Sequence, residues 1–229
     1  MTRGSEAFQV LKSLLKPTLL ILIWMTILRF VLYCAVFSAQ IQATSDLPAA
    51  FFAGFRFDLL VVGFFWIPIV VFTWLSTWVL PPRKLFFFWK LYFVVGILLI
   101  FDLSWMDLFW SAVFQKRLNH QFFQADSRQI LDQGWAALGI TKSWISTLGM
   151  GLTSLGLVLW THALQLSKDY SLPSTKKLIL QIIGSIFLVA FAARGTWTPH
   201  HLNIEHAQVS SDSLVNQLPL NPLWNLDKD

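Results

Sequence analysis

The apolar residues of this chain fall into long runs separated by short polar or charged breaks, the pattern of a protein that crosses a membrane repeatedly. One crossing takes about 20 mostly apolar residues at a rise of about 1.5 Å each. Five runs meet or approach that length. The first, Pro17–Phe37, contains one charge, Arg29. The second runs from about Phe51 to Leu80 and stops at Pro81-Pro82, which cannot continue a helix. The third, Leu91–Phe114, is interrupted by Asp102 and Asp107. The fourth, Trp144–Leu166, has His162 as its one titratable side chain. The fifth, Leu178–Ala193, is short, but Lys177 and Arg194 at its ends can carry their charges out to the head groups. The first run is too long for a signal peptide, and Phe37 stands where a cleavage site needs a small residue, so a retained anchor is expected.

Between the third and fourth runs, Leu118, Phe122, Ile130, Leu131, Trp135 and Leu138 recur at roughly helical spacing, and Asp126 with Gln129 provides a helix start. This predicts a helical segment lying in the outer interface. The polar stretch from Gly195 to Asp229, with Pro199, Pro219 and Pro222, reads as extended external chain. The expected fold is therefore an all-α integral membrane protein with five transmembrane helices. Residues 1–194 form the membrane domain and 195–229 an extracytoplasmic linker.

Lysine and arginine in short loops set the orientation. Arg3, Lys12 and Lys16, then Arg83, Lys84 and Lys90, then Lys168, Lys176 and Lys177 all fall on one side; on the other, the loop Ser38–Ala50 has none and the third loop has Lys116, Arg117, Arg128 and Lys142, partly balanced by Asp126 and Asp132. This places the N-terminus in the cytoplasm and the C-terminus outside. Trp78 and Trp89 would then lie at the inner interface, and Trp110, Trp144 and Trp197 at the outer one, as an aromatic belt.

Composition removes the competing classes. Of the 229 residues 55% are hydrophobic and 13% charged, with 21 Phe, 12 Trp and a mean hydropathy of +0.59, more apolar side chain than a soluble domain of this size can bury. The net charge of +5 is scattered among apolar runs and forms no patch for nucleic acid. Cys34 is the single cysteine, so no intrachain disulfide exists, and its apolar context predicts a small buried residue.

Charges inside a bilayer are costly and mark either a structural pair or a function. Arg29 lies about 18 Å beyond Pro17 on an outward-running helix, Asp102 about 18 Å beyond Lys90 on another, and Asp107 about 7 Å higher. Arg56 and Asp58 open an inward-running helix and so share the outer half. Two readings remain open. One is an ion-pair network that pins the first three helices, with Arg29 and Asp102 matched in depth. The other is a polar pocket for a lipid head group, its phosphate held by Arg29 or Arg56. Arg56 and Asp58 are two apart and Asp102 and Asp107 five apart, so at most one of each pair faces any one site. The spacing of His200, His201 and His206 fits no metal set, His162 reads as an interfacial side chain, and no catalytic triad or phosphate loop is present.

Four motifs in order carry a family resemblance. Gly54-Phe-Arg-Phe-Asp58 resembles the G-x-R-F-D motif of the lipoteichoic acid synthase family, sulfatase-like phosphoglycerol and phosphoethanolamine transferases of bacterial membranes. Asp102-Leu-Ser-Trp-Met-Asp107 through Lys116-Arg117-Leu118-Asn119 is similar to that family's aspartate-aromatic stretch leading to R-L-N. Arg194-Gly195, Leu202-Asn203 and Asn216-Gln-Leu-Pro-Leu-Asn-Pro222 are similar to the segment joining its last span to its external domain, and Arg29 late in the first span also fits. The resemblance implies five membrane helices followed by an external alkaline-phosphatase-like domain. That domain carries a Thr nucleophile and Mn or Mg, and acts on phosphatidylglycerol or phosphatidylethanolamine in the bacterial cytoplasmic membrane. Asp229 falls where that domain would begin, and no residue here matches its nucleophile or metal ligands. The chain by itself is therefore expected to be non-catalytic and free of cofactor, an anchoring and lipid-presenting domain. A non-catalytic partner subunit is the alternative. An ion-coupled transporter is disfavoured, since paired broken helices and internal repeats are not evident.

Overall fold

The structure, a computed structural model, describes residues 3–42, 44–79, 82–124, 127–137, 156, 175–195 and 202–225. Among these residues every regular element is helical. The main helices are α1 (Arg3–Leu32), α2 (Leu47–Val79), α3 (Pro82–Phe114), α4 (Ser127–Ala137) and α5 (Thr175–Arg194). Among the described residues three stretches are long and apolar enough to cross a membrane, Ala7–Phe37, Leu47–Leu75 and Phe87–Phe114; Ile179–Arg194 is a shorter apolar helix. The expected fourth span, Trp144–Leu166, lies outside the described residues apart from the helical Gly156. Leu19, Ile23, Phe64, Phe72, Leu180 and Phe187 are exposed, a large apolar surface of the kind suited to lipid.

Helix boundaries differ from the expected ones for identifiable reasons. α1 begins at Arg3 and runs through Pro17, because Ala7, Val10, Leu11 and Leu14 form a buried stripe at helical spacing. Packing of that stripe outweighs the hydrogen bond that Pro17 removes. The last turn widens into a π-helix at Tyr33–Phe37, which buries Val36 and Phe37. Cys34 sits on this turn and is exposed, not buried as expected. α2 begins at Leu47, earlier than Phe51, with Pro48 in its first turn where a missing N–H costs nothing. A second proline, Pro68, is accommodated inside it.

Paired contacts give the helix directions. Trp66 Nε1 donates to Thr18 Oγ1 at 2.9 Å, while Arg29 meets Gly54 and Asp58, so α1 and α2 are antiparallel. Trp74 Nε1 donates to Ser185 Oγ at 3.0 Å and Arg56 Nε to Gly195 O at 3.2 Å, so α5 also opposes α2. Gly63 lets these two helices touch: a Cβ there would collide with the backbone of Ala192 and Ala193. Gly96 likewise admits the Phe65 ring, which packs 4.9 Å from Tyr92. Trp89 and Trp110 are buried in the helix packing, so they do not face head groups as an aromatic belt would. Trp78 is described only in its backbone, and Trp144 and Trp197 lie outside the described residues.

The segment after α3 is helical, with a 3-10 turn at His120–Gln124 and then α4, packed close enough that Gly134 abuts Phe109. The tail is not extended. Residues 202–225 fold into short helical turns at Ile204–Ala207, Val215–Gln217 and Pro222–Asn225. Val215 and Leu218 insert among Leu32, Phe37, Ala50 and Leu108 at the ends of the first three helices. Gly195, at φ +68°, ends α5 in the left-handed conformation and turns the chain back, its N–H donating to Phe191 O.

Gly63→Leu should wedge α2 from α5 and cost about 1–3 kcal/mol of stability, read as a lower Tm in detergent. Gly184→Ala, on the same α5 but with open space where its Cβ would go, should hold or raise Tm.

Candidate functional site

Arg29 emerges three residues before the end of α1, level with the upper part of α2. Because α2 starts at Leu47, Asp58 is eleven residues into that helix, about 16 Å below its first residue by helical rise, and at the depth of Arg29. Their side chains are 3% and 0% exposed and meet as a fork. Nη1 donates to Asp58 Oδ2 at 2.7 Å and Nη2 to Asp58 Oδ1 at 2.9 Å. The remaining donors reach main chain: Nη2 to Gly54 O at 3.1 Å and Nε to Leu218 O at 2.9 Å. Asn221 Nδ2 adds a third donor to Asp58, 2.7 Å from Oδ1. A buried ion pair recovers its desolvation cost only with good geometry and further hydrogen bonds, and this pair has both. Gly54 is required here, since a Cβ would overlap the Arg29 guanidinium.

This arrangement corrects the depth match of Arg29 to Asp102. Asp102 is exposed, turned away from the interior by the five-residue offset that brings Asp107 inward. Asp107 instead holds the chain that leaves α3. It accepts from Arg117 Nε at 3.1 Å and the Leu118 N–H at 2.7 Å, both on Oδ1, and Arg117 Nη2 lies 3.0 Å from Oδ2. The turn that returns Arg117 to Asp107 passes through Gln115, at φ 56°, and is tied by Ser111 Oγ donating to Lys116 O. Burial lowers the affinity of the Arg117 guanidinium for its proton, Asp107 opposes this, and Arg29 adds to the lowering. The guanidinium remains charged at any accessible pH.

Arg56 faces elsewhere. It is half-buried, and its Nε bonds the carbonyl of Gly195 at the end of α5. No ion pair of Arg56 occurs among the described residues.

The tail stitches both ion pairs to the bundle. Leu218 O takes Arg29 and Asn221 takes Asp58. The Arg117 N–H donates to Gln217 Oε1 at 3.2 Å, and Asn225 Nδ2 donates to Leu118 O at 2.8 Å. The loop that presents these groups is closed by Asn216, whose Oδ1 accepts the N–H groups of Val209 and Ser210 at 2.9 Å and whose Nδ2 donates to Ser210 O at 2.8 Å. Gln217, Leu218, Asn221 and Asn225 were not among the expected site residues. One signal for them exists: the segment Leu214–Asn225 carries no charge, unusual for a solvated tail and suited to burial.

Between the two ion pairs lies a cavity of about 30 Å³, lined by Arg29, Asp58, Ser104, Asp107, Arg117 and Asn221. That is room for about one water molecule, far below a phospholipid head group. Arg29 is buried, and each of its three guanidinium nitrogens is hydrogen-bonded to protein. His206 is structural: its Nδ1 accepts from the Asn203 N–H at 3.1 Å in a capping box over Ile204–Ala207. Among the described residues no cluster of three His, Cys, Asp or Glu could hold a metal, and His162, His200 and His201 lie outside them.

No protein-family model, curated protein or solved structure matches this chain.

Arg29→Ala or Asp58→Ala should each cost about 3–5 kcal/mol by leaving one buried charge alone. The double variant should lose clearly less than the sum, while Asp102→Ala stays near wild type; thermal unfolding in detergent checks all four. An additive double variant would show that the two residues are uncoupled.

Proposed function

We propose that this chain is the membrane-anchoring and lipid-presenting part of a sulfatase-like lipid-head-group transferase of the bacterial envelope, one that moves phosphoglycerol or phosphoethanolamine. The observation that carries the reading is convergence. The motifs that resemble the lipoteichoic acid synthase family are far apart in sequence, yet Arg29, Gly54 and Asp58, Asp107 with Arg117 and Leu118, and Leu218 with Asn221 form one connected cluster. Arg56 and Asp102, from the same motifs, lie outside the cluster. The cluster's effect also suits an anchor, because it fixes the path of the chain as it leaves the helices. A rigid exit of this kind would set the distance and angle of an external catalytic domain over the membrane.

Lipid presentation falls to Arg56 in this reading. Arg56 stands nine residues into α2, is half-buried and is bonded through Nε, and its Nη groups have no partner among the described residues, which leaves them for a phosphate. The chain lies in the cytoplasmic membrane with its N-terminus inside and its tail outside, supported by Arg3, Lys12, Lys16, Lys176 and Lys177. Any Mn or Mg belongs to the catalytic domain.

The coding sequence beyond the Asp229 codon tests the anchor reading directly. An in-frame sulfatase-like domain supports it; a stop codon followed by unrelated sequence favours a non-catalytic partner subunit. Topology is checked with single cysteines in a Cys34→Ser background. Ser211→Cys should react with an impermeant thiol reagent in intact cells and Lys176→Cys should not; the reverse pattern defeats the proposed orientation. Arg56→Ala should weaken retention of phosphatidylglycerol or phosphatidylethanolamine at the outer site, measured by native mass spectrometry. Unchanged retention there makes Arg56 a purely structural link to α5.

A further inference from the structure

A second concavity has nothing in common with the ion-pair cluster. It is a groove of about 420 Å³ between α1, α2 and α5, walled by apolar side chains such as Leu15, Leu19, Leu22, Val62 and Leu188. This volume falls within the range of about 300–1,000 Å³ common to small-molecule sites. Along α1 it runs from Phe8 to Leu22, about 21 Å by helical rise. That length exceeds one leaflet of hydrocarbon, half of a core about 30 Å thick.

The polar groups of the groove are unevenly spread. Thr18 and Ser185 line it, but their hydroxyls are spent. Thr18 Oγ1 donates to Leu14 O and accepts from Trp66, and Ser185 Oγ donates to Ile182 O and accepts from Trp74. Lys12 and Gln181 stand toward the end at which α1 and α5 begin. Lys12 is exposed and forms no ion pair among the described residues. Gln181 Oε1 is buried without a hydrogen-bond partner among them, a costly state for an acceptor. One end of the groove thus carries a cation, the rest offers hydrocarbon contact, and Gln181 Oε1 is closed off from the groove surface. Gly184 contributes to the opening, since a Cβ there would meet nothing within 4 Å.

We propose that this groove binds one acyl chain of an anionic glycerophospholipid, its phosphate on Lys12 Nζ. The lipid enters from the membrane face on which α1 begins, the face opposite to that served by Arg56. A zwitterionic choline head group lacks the net negative charge, so it fits the cationic end poorly. The proposal rests on the groove itself and does not depend on the transferase reading.

The test uses the purified chain in mixed micelles with equal phosphatidylglycerol and phosphatidylcholine, followed by delipidation and native mass spectrometry. Wild type should keep a phosphatidylglycerol in preference to phosphatidylcholine. Lys12→Gln should lower that occupancy about fivefold, the worth of one ion pair at a polar boundary. Gly184→Trp should abolish it by filling the groove, and Gly184→Leu is the smaller obstruction should the indole impair folding; Tm identifies folded variants. Arg56→Ala should leave this lipid in place, which separates the groove from the outer site. If a folded Gly184→Trp or Gly184→Leu protein keeps the lipid at wild-type level, the groove is not its site. If phosphatidylcholine is retained as well as phosphatidylglycerol, or Lys12→Gln changes nothing, the head-group assignment is wrong.

Discussion

An arginine and an aspartate with almost no exposure to solvent, Arg29 and Asp58, are the constraint to which the rest of this structure answers. Placing two charges in a low-dielectric interior costs several kcal/mol per ion, so every other donor and acceptor nearby has to be aimed at them. That requirement explains Gly54, whose missing side chain makes room for the guanidinium and whose carbonyl receives it. It explains why the tail folds back, since Leu218 O and Asn221 complete the coordination that the helices leave unfinished. It also fixes the vertical register of α1 against α2, because sliding either helix by a turn would separate the pair by about 5.4 Å.

The second pair does related work at the next junction. Asp107 closes the turn out of α3 through Arg117 and the Leu118 N–H, and the tail touches that turn at Gln217 and Asn225. Two ion pairs that face one small cavity are thus joined by a single uncharged segment. α1, α2, α3 and the tail behave as one packed unit at this end, where Val215 and Leu218 fill the gap between helix ends.

Among the described residues, the first three apolar runs and the shorter fifth one coincide with helices, because length and composition decide what a membrane segment must be. They did not disclose where helices begin. The buried stripe Ala7–Leu14 lies before Pro17, and a proline read as a start signal concealed it. The late start assigned to the second run had a larger consequence. It put Asp58 near the outer face and left Asp102 as the apparent partner of Arg29, when four more residues of helix bring Asp58 level with it. The charged residues themselves were visible in the sequence as anomalies. The tail contacts were not, because Leu218 acts through its backbone carbonyl and Asn221 resembles any loop asparagine.

Much of the tail's attachment is made to main-chain atoms. Arg29 receives the carbonyl of Leu218, Arg56 that of Gly195, and Asn225 reaches the carbonyl of Leu118. A carbonyl oxygen is present whatever the residue, so these links recognise the route of the backbone and are indifferent to most of its side chains. The identities that matter are then concentrated on the helices, in Arg29, Gly54, Arg56 and Asp58, and at a few tail positions such as Gly195, Asn216 and Asn221. The tail can drift in composition at its exposed positions, such as Glu205, Gln208 and Ser211, while the buried Leu202, Val215, Leu218 and Leu220 must stay apolar for the trajectory to be preserved.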